Sequence, residues 1–143
     1  MIRIEKFRKA ERPDLADKAF AIRQKVFVDE QSVDPALEYD IHENESWHYL
    51  LLENNKPVAT ARWRQTSNGI KLERFATLKE DRNRGLGRVL LKRVLQDIFP
   101  LKKAVYLHSQ LKAVSFYQRQ EFVKEGEMFV EAGINHFKMV YRP

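Results

Sequence analysis

The spacing of apolar residues divides the chain into alternating strand and helix patterns. Ile2 to Phe7 alternates apolar with polar residues, the period of a half-buried strand. Pro13 suits the first turn of a helix, and Leu15, Ala19, Ile22 and Val26 then mark one helical face, flanked by Ala16, Phe20 and Phe27. Gln31 to Glu45 is acidic and irregular, with Pro35 inside. It reads as a loop or short helical piece, solvated as acidic loops usually are, or lying over a cleft where it would attract a cationic amine. Trp47 to Leu52 is a strand of mostly large apolar residues, followed by a turn at Asn54-Asn55-Lys56-Pro57. Val58 to Gln65 is the next strand, with Ala59, Ala61 and Trp63 on one face and Thr60, Arg62 and Arg64 on the other. Ser67-Asn68-Gly69 signals a hairpin, and Ile70 to Thr77 returns.

The polar loop Arg82-Asn83-Arg84-Gly85-Leu86-Gly87 comes next, and Leu90, Leu91, Val94, Leu95 and Ile98 then recur at helical spacing. Strand, glycine loop and helix in that order suit an anion. A helix N-terminus leaves backbone N–H groups without partners and carries the positive end of the dipole. Glycines let the backbone approach a phosphate, and Arg82, Arg84 and Arg88 add charge. Pro100 ends this helix. Ala104 to Leu107 is a short buried strand reached by a helical crossover, so parallel to the strand before it. Leu111 to Gln120 is helical, with Val114, Phe116 and Tyr117 on its apolar side. Phe122 to Val130 and His136 to Tyr141 read as a closing pair of strands around Ala132-Gly133.

Composition narrows the classes. A chain of 143 residues implies a single domain over 1–143, large enough to bury a core without staples. With no cysteine there are no disulfides, no thiol nucleophile and no thiolate metal site. His42, His108 and His136 lack metal-ligand spacing, and neither H-E-x-x-H nor G-x-S-x-G occurs, so no metal is expected. The charged N-terminus is neither a signal peptide nor a membrane span, so a cytoplasmic protein without a membrane partner is expected. The net charge of +6 and pI near 9.6 fit an anionic ligand, either a phosphorylated cofactor or nucleic acid. The nucleic-acid reading has no helix-turn-helix or exposed-aromatic pattern beside the charge, and nucleic acid is not the expected partner.

Two motifs carry a resemblance. Arg82 to Gly87 matches R/Q-x-x-G-x-G/A between a strand and a helix, and resembles the acetyl-CoA pyrophosphate loop of GNAT-superfamily N-acetyltransferases. Gln110-x-x-Ala113-x-x-Phe116-Tyr117-x-x-x-Glu121-Phe122 resembles the N-x-x-A-x-x-F/L-Y-x-x-x-G-F pattern of the same superfamily, at the right distance from the loop. Ile22 to Gln31 and Gly126 to His136 are similar to the small bacterial ElaA-like branch, which usually reads G-I-P-H where this chain has Gly133-Ile134-Asn135-His136. The first helix also resembles acyl-homoserine lactone synthases, whose acyl donor is held on a carrier protein.

The resemblance implies an α/β GNAT domain: a mixed, twisted sheet of six or seven strands, helices on both faces, splayed at the cofactor site. It implies acetyl transfer from acetyl-CoA, as co-substrate, to a small-molecule or peptide amine by direct attack in a ternary complex. A homodimer is compatible with it, and an acyl-CoA-binding module without turnover is the alternative. Backbone N–H groups across Arg82, Asn83, Arg84, Gly85, Leu86, Gly87 and Arg88 would hold the pyrophosphate, with Gln110 also at the cofactor. The pantetheine would follow the strand edge at Phe75, Ala76 and Thr77, where the strands Ile70–Thr77 and Ala104–Leu107 splay, and a backbone N–H would polarise the thioester carbonyl. Tyr117 would be the general acid toward the leaving sulfur; its other reading is a core aromatic with its hydroxyl tied to backbone. Glu73, expected on the same strand face as Phe75, is a candidate base. If Asn68-Gly69 makes a two-residue turn, Glu73 faces Arg64, and a cross-strand ion pair accounts for it equally well. Glu43 and His48 are further candidates for relaying a proton through water. Glu121 replaces the family's Gly after the Tyr117 helix, and so is expected in a left-handed backbone conformation.

Overall fold

The computed structural model describes residues 1–143. The element order is β1 (Ile2–Phe7), α1 (Pro13–Arg23), α2 (Pro35–Glu38), β2 (Trp47–Glu53), β3 (Lys56–Thr66), β4 (Gly69–Thr77), α3 (Leu86–Ile98), β5 (Val105–Gln110), α4 (Val114–Arg119), β6 (Phe122–Lys124), β7 (Phe129–Glu131) and β8 (Ile134–Tyr141). A wider π-helical stretch, Gln24–Glu30, prolongs α1. The strands form one mixed sheet in the order β1-β2-β3-β4-β5-β8-β6, with β7 also on β8. Only β4 and β5 run parallel, the consequence of the α3 crossover. The strand count reaches eight because the closing Phe122–Val130 segment breaks into β6 and β7, with Gly126 at φ +84 between them.

Helices cover both faces. Leu90, Leu91, Val94 and Ile98 of α3, with Val114 and Tyr117 of α4, pack on Tyr49, Ala61, Trp63, Ile70 and Leu72. On the opposite face Leu15, Ala19 and Ile22 of α1, with Val26, pack on Phe7, Leu50, Leu52 and Ala76. The alternation along β3 divides as the sequence pattern predicts, with the alanines and Trp63 toward α3 and Arg62 toward α1. No helix is long and apolar enough to cross a membrane.

The β3–β4 hairpin is one residue out of the expected register. Its two-residue turn is Ser67-Asn68, with Thr66 opposite Gly69, so Arg62 rather than Arg64 faces Glu73. Gly69 belongs to the strand because of packing: a Cβ there would sit 2.3 Å from the Ala104 carbonyl oxygen. Further along, Arg74 sits at φ +56 and the register shifts between Thr60 and Arg62, so two residues of β4 oppose Ala61 alone. This bulge reverses the side-chain alternation. Leu72 and Phe75 therefore pack with the α3 face while Ala76 packs with α1. Glu73 and Phe75 consequently point to opposite faces, which corrects their expected common face. Pairing of β4 with β5 stops at Leu72 and Leu107, and the strands part beyond.

Candidate functional site

A cavity of about 1310 Å³ opens where β4 and β5 part. Its walls come from the bulged end of β4, the start of α3, the end of β5, α4, the segment after the π-helix, and β7–β8.

The α3 end holds the glycine loop. Gly85 at φ +78 turns the chain into α3, no side chain caps the helix, and the first i→i−4 bond runs from Val89 N–H to Gly85 O at 3.1 Å. The amides of Leu86, Gly87 and Arg88 are left without intrahelical acceptors. The three arginines separate. Arg82 donates to Glu30 at 2.9 and 2.7 Å and to the Thr77 carbonyl at 2.9 Å, tying the loop to the π-helix and to β4. Arg84 turns away from the cavity to Glu53, at 3.0 and 2.8 Å, and to Asp81 at 2.9 Å. Arg88 lines the cavity and stays free of ion pairs, as do Lys112 and Arg119 on the wall opposite. Phe75, Ala76, Thr77, Asn83, Gly85, Leu86, Gly87 and Gln110 also line it. Gln110 Nε2 donates to Gln31 Oε1 at 2.7 Å, joining the end of β5 to the segment after the π-helix.

Tyr117 enters from the α3 face, edge-on to Phe116 and Phe122 at 5.1 and 5.7 Å between ring centroids. Its hydroxyl has no hydrogen-bond partner in the protein, so the tie to backbone that a purely packed tyrosine would make is missing. Burial pushes its pKa up, which keeps the phenol protonated.

On the α1 face the acidic segment is only partly solvated: Asp34 and Glu45 are exposed, but other carboxylates turn inward. Glu38 and Glu43 are 3% and 6% exposed, and with Asp40 and Glu73 they meet four arginines. Arg23 donates to Glu38 at 2.7 Å and to Glu43 at 3.0 and 2.7 Å. Arg62 reaches Asp40 at 3.0 and 2.8 Å, Glu43 at 2.8 Å and Glu73 at 2.5 Å. Arg64 closes on Glu73 at 2.5 Å, and Arg74 lies 3.2 Å from Glu38 and 3.1 Å from Asp40. The bulge at Arg74 is what aims its guanidinium at this segment, where it also bonds the Leu37 and Glu38 carbonyls. The acidic segment is thus drawn onto the sheet by arginines of α1, β3 and β4. Burial alone would raise the Glu73 pKa, but Arg62, Lys71 and Arg64 outweigh it and hold the carboxylate below its ordinary range. Glu43 and His48 lie outside the cavity lining. His48 shares a hydrogen bond with the Glu43 carbonyl at 2.8 Å and stacks on Phe7, so it is a packed core histidine.

Sequence reasoning missed a cluster at the far wall. His108 of β5, Glu131 of β7 and His136 of β8 line the cavity, with His108 Nδ1 3.2 Å from Glu131 Oε1 and His136 Nε2 3.8 Å from Glu131 Oε2. They are not arranged to hold a metal ion. Only the alternation of His108 with Tyr106 and Gln110 in a strand could have hinted that it faces the cleft.

Comparison with known proteins agrees with this architecture. The family model for the Acetyltransferase (GNAT) domain matches residues 11–143. The chain is similar to "Uncharacterized N-acetyltransferase YjcF" of Bacillus subtilis, 37% identical over 131 residues, covering 85% of this chain and 89% of the relative. Its fold is similar to the crystal structure of Escherichia coli ElaA, with a TM-score of 0.88 and 25% identity over 99% of this chain and 100% of the other. It is also similar to a GNAT family acetyltransferase from Elizabethkingia anophelis with acetyl-CoA bound, at a TM-score of 0.66 and 18% identity over 97% and 94%.

Proposed function

Since the chain belongs to the GNAT acetyltransferase family, we propose that it moves the acetyl group of acetyl-CoA to a primary amine by direct attack in a ternary complex. The observation that carries this reading is the cleft between β4 and β5, which joins an uncapped helix N-terminus to the unpartnered Tyr117 hydroxyl. The neighbour with acetyl-CoA bound shares the fold and supports the donor.

The residues divide the work. Amides of Leu86, Gly87 and Arg88, with the free charge of Arg88, receive the pyrophosphate; Arg82 shapes the loop through Glu30 and Thr77, and Asn83 and Gly85 set its left-handed turns. Arg84 acts outside the cavity, bracing the loop through Glu53 and Asp81. The edge of Phe75, Ala76 and Thr77 is free of β5, so its backbone N–H groups can bond an amide-bearing chain and polarise a carbonyl beside it. Gln110 holds the far end of the cleft through Gln31. Acetyl-CoA supplies an activated acyl carbon and a thiolate leaving group. Tyr117 donates the proton that the thiolate needs. Glu73 is tightly held by Arg62 and Arg64, and in this reading it serves the network beneath the cleft.

A screen of primary amines with thiol release as the readout tests the reaction. Wild-type protein with acetyl-CoA should release thiol above the amine-free rate for at least one acceptor class. Tyr117→Phe should lower that rate by about 10²–10⁴-fold with little change in acetyl-CoA affinity. Loss of affinity and melting temperature with an unchanged rate per loaded enzyme would make the hydroxyl structural.

A further inference from the structure

The two halves of the sheet differ on the α1 side. Helix α1 covers β2, β3 and β4, while the same face of β5, β7 and β8 is left to the cavity. The register puts Gln110 opposite His136, His108 opposite Lys138, and Phe129 opposite His136, so these side chains share that face with Glu131. Tyr117 reaches the cavity from the other face, through α4. A thioester lying in the gap would therefore have a phenol on one side and the His108–Glu131 pair on the other.

The carboxylates lining the cavity are not equivalent. Glu38, Asp40, Glu73 and Asp81 each meet an arginine. Glu131 meets only His108 and His136. A carboxylate accepts hydrogen bonds, so neutral His108 carries its proton on Nδ1 toward Glu131 and leaves the Nε2 lone pair free. Phe129 stands edge-on to the His108 ring at 5.0 Å and fixes its plane. His136 Nδ1 is engaged with the Ile134 carbonyl at 2.7 Å. The other titratable groups around His108 are directed elsewhere. Lys138, opposite on β8, pairs with Glu125 at 3.0 Å, and Tyr106 on β5 bonds Thr66 at 2.7 Å. On β4, Glu73 is locked by arginines; Lys71, opposite Tyr106, instead lines the cavity, and its charge joins those of His108 and His136 in holding the Glu131 carboxyl below its ordinary range.

We propose that His108, oriented by Glu131, is the base for the acceptor amine, working from the face opposite Tyr117; this rests on the acetyl-transfer reading above. Glu131 attracts the arriving ammonium, and His108 Nε2 takes one proton from it. The freed lone pair forms the N–C bond to the acyl carbon as the C–S bond breaks. The thiolate takes the Tyr117 proton, and the phenol is replenished by the second proton that the nitrogen sheds. The imidazolium releases its proton to solvent, so one proton leaves per turnover.

The test compares wild type, His108→Asn and Glu131→Gln. Asparagine keeps a donor near the Nδ1 position and removes the Nε2 lone pair. Acetyl-CoA affinity is measured by calorimetry and fold by melting temperature. Thiol release is read with butylamine, mostly protonated at neutral pH, and with hydroxylamine, mostly neutral there, each corrected for the uncatalysed reaction. His108→Asn should bind acetyl-CoA as wild type does and lose about 10²–10⁴-fold in kcat/KM with butylamine. It should lose far less with hydroxylamine, and its residual butylamine rate should rise with pH in step with the free-amine fraction. Glu131→Gln should move the same ratio in the same direction by a smaller factor, and it decides the matter should His108→Asn not fold. An unchanged butylamine-to-hydroxylamine ratio overturns the assignment. So does a change in that ratio that appears in Glu73→Gln and not in His108→Asn. Wild type that binds acetyl-CoA but acetylates neither these probes nor any screened amine overturns transfer and base together. Wild type that does not bind acetyl-CoA overturns the reading of the cleft itself.

Discussion

Glu121 sits at φ +71, two residues past the end of α4, in the region where a Cβ is disfavoured by about 1–2 kcal/mol. Its bonds there are backbone bonds: its N–H donates to Gln118 O at 3.2 Å, and its carbonyl accepts from Arg142 N–H at 2.8 Å. Glycine would keep both and lose the strain. Glu121→Gly should therefore stabilise the protein by about 1 kcal/mol or less, after the extra chain entropy of glycine is subtracted. In a urea titration the midpoint should rise at constant slope; a clear fall would mean that the Glu121 side chain contributes more than its backbone costs. The expectation came from one substitution in a local motif, where three residues lie between Tyr117 and Glu121. Tyr117 was legible for the same reason. His108 and Glu131 were not, because strand pairing through β8 brings them together across a separation of 23 residues.

Helices and strands were readable wherever period 2 or 3.6 ran uninterrupted, and that covers nearly every element. Of the features that escaped, three are set by partners distant in sequence. The bulge at Arg74 needs the carbonyls of residues 37 and 38 as its target. The hairpin register depends on the approach of Gly69 to Ala104. The acidic segment looked solvated because its arginines lie on α1, β3 and β4. That network also gives the element-scale prediction. Asp40, Glu43 and Glu73 are buried enough to raise their pKa values, yet their arginines hold all three below the ordinary 3.8 for Asp and 4.5 for Glu. Groups depressed on folding contribute stability that is complete above those ordinary values and is lost as pH falls through the folded ones. The urea midpoint should thus drop as pH falls below about 5, with Glu38, whose carboxyl burial pushes up, offsetting part of the loss. Arg62→Met should cost about 3–5 kcal/mol near neutral pH, since it removes the guanidinium that three carboxylates share at a fully buried site and leaves them to Arg23, Arg64 and Arg74 alone. The acid-induced drop should also be smaller in that variant. An equally steep drop would place the acid sensitivity elsewhere in the chain.

For the whole molecule, the balance of charge says where an anion can go. Four arginines and four carboxylates cancel within the buried network, so the surplus of six positive charges lies outside it. Arg88, Lys112 and Arg119 bring part of that surplus to the cavity rim, beside the uncapped start of α3. The sequence showed the surplus and the glycine loop, but only the fold reveals which cations remain unpaired at the cleft and which, like Arg84, brace the loop from outside. A ligand with clustered phosphates should therefore stabilise the folded chain through this rim, while free acetate, which lacks them, should not. Acetyl-CoA at about 100 times its dissociation constant adds about 2.7 kcal/mol to the folded state. For a chain of this length that is a rise in melting temperature of roughly 5–10 °C. Coenzyme A without the acetyl group should give most of the same shift, because the charged end supplies it. The shift should shrink as salt screens the rim. Thermal unfolding at low salt with acetyl-CoA, coenzyme A and acetate in parallel makes the measurement. No shift with saturating acetyl-CoA, or an equal shift with acetate, would remove the anion from the α3 end of the cleft.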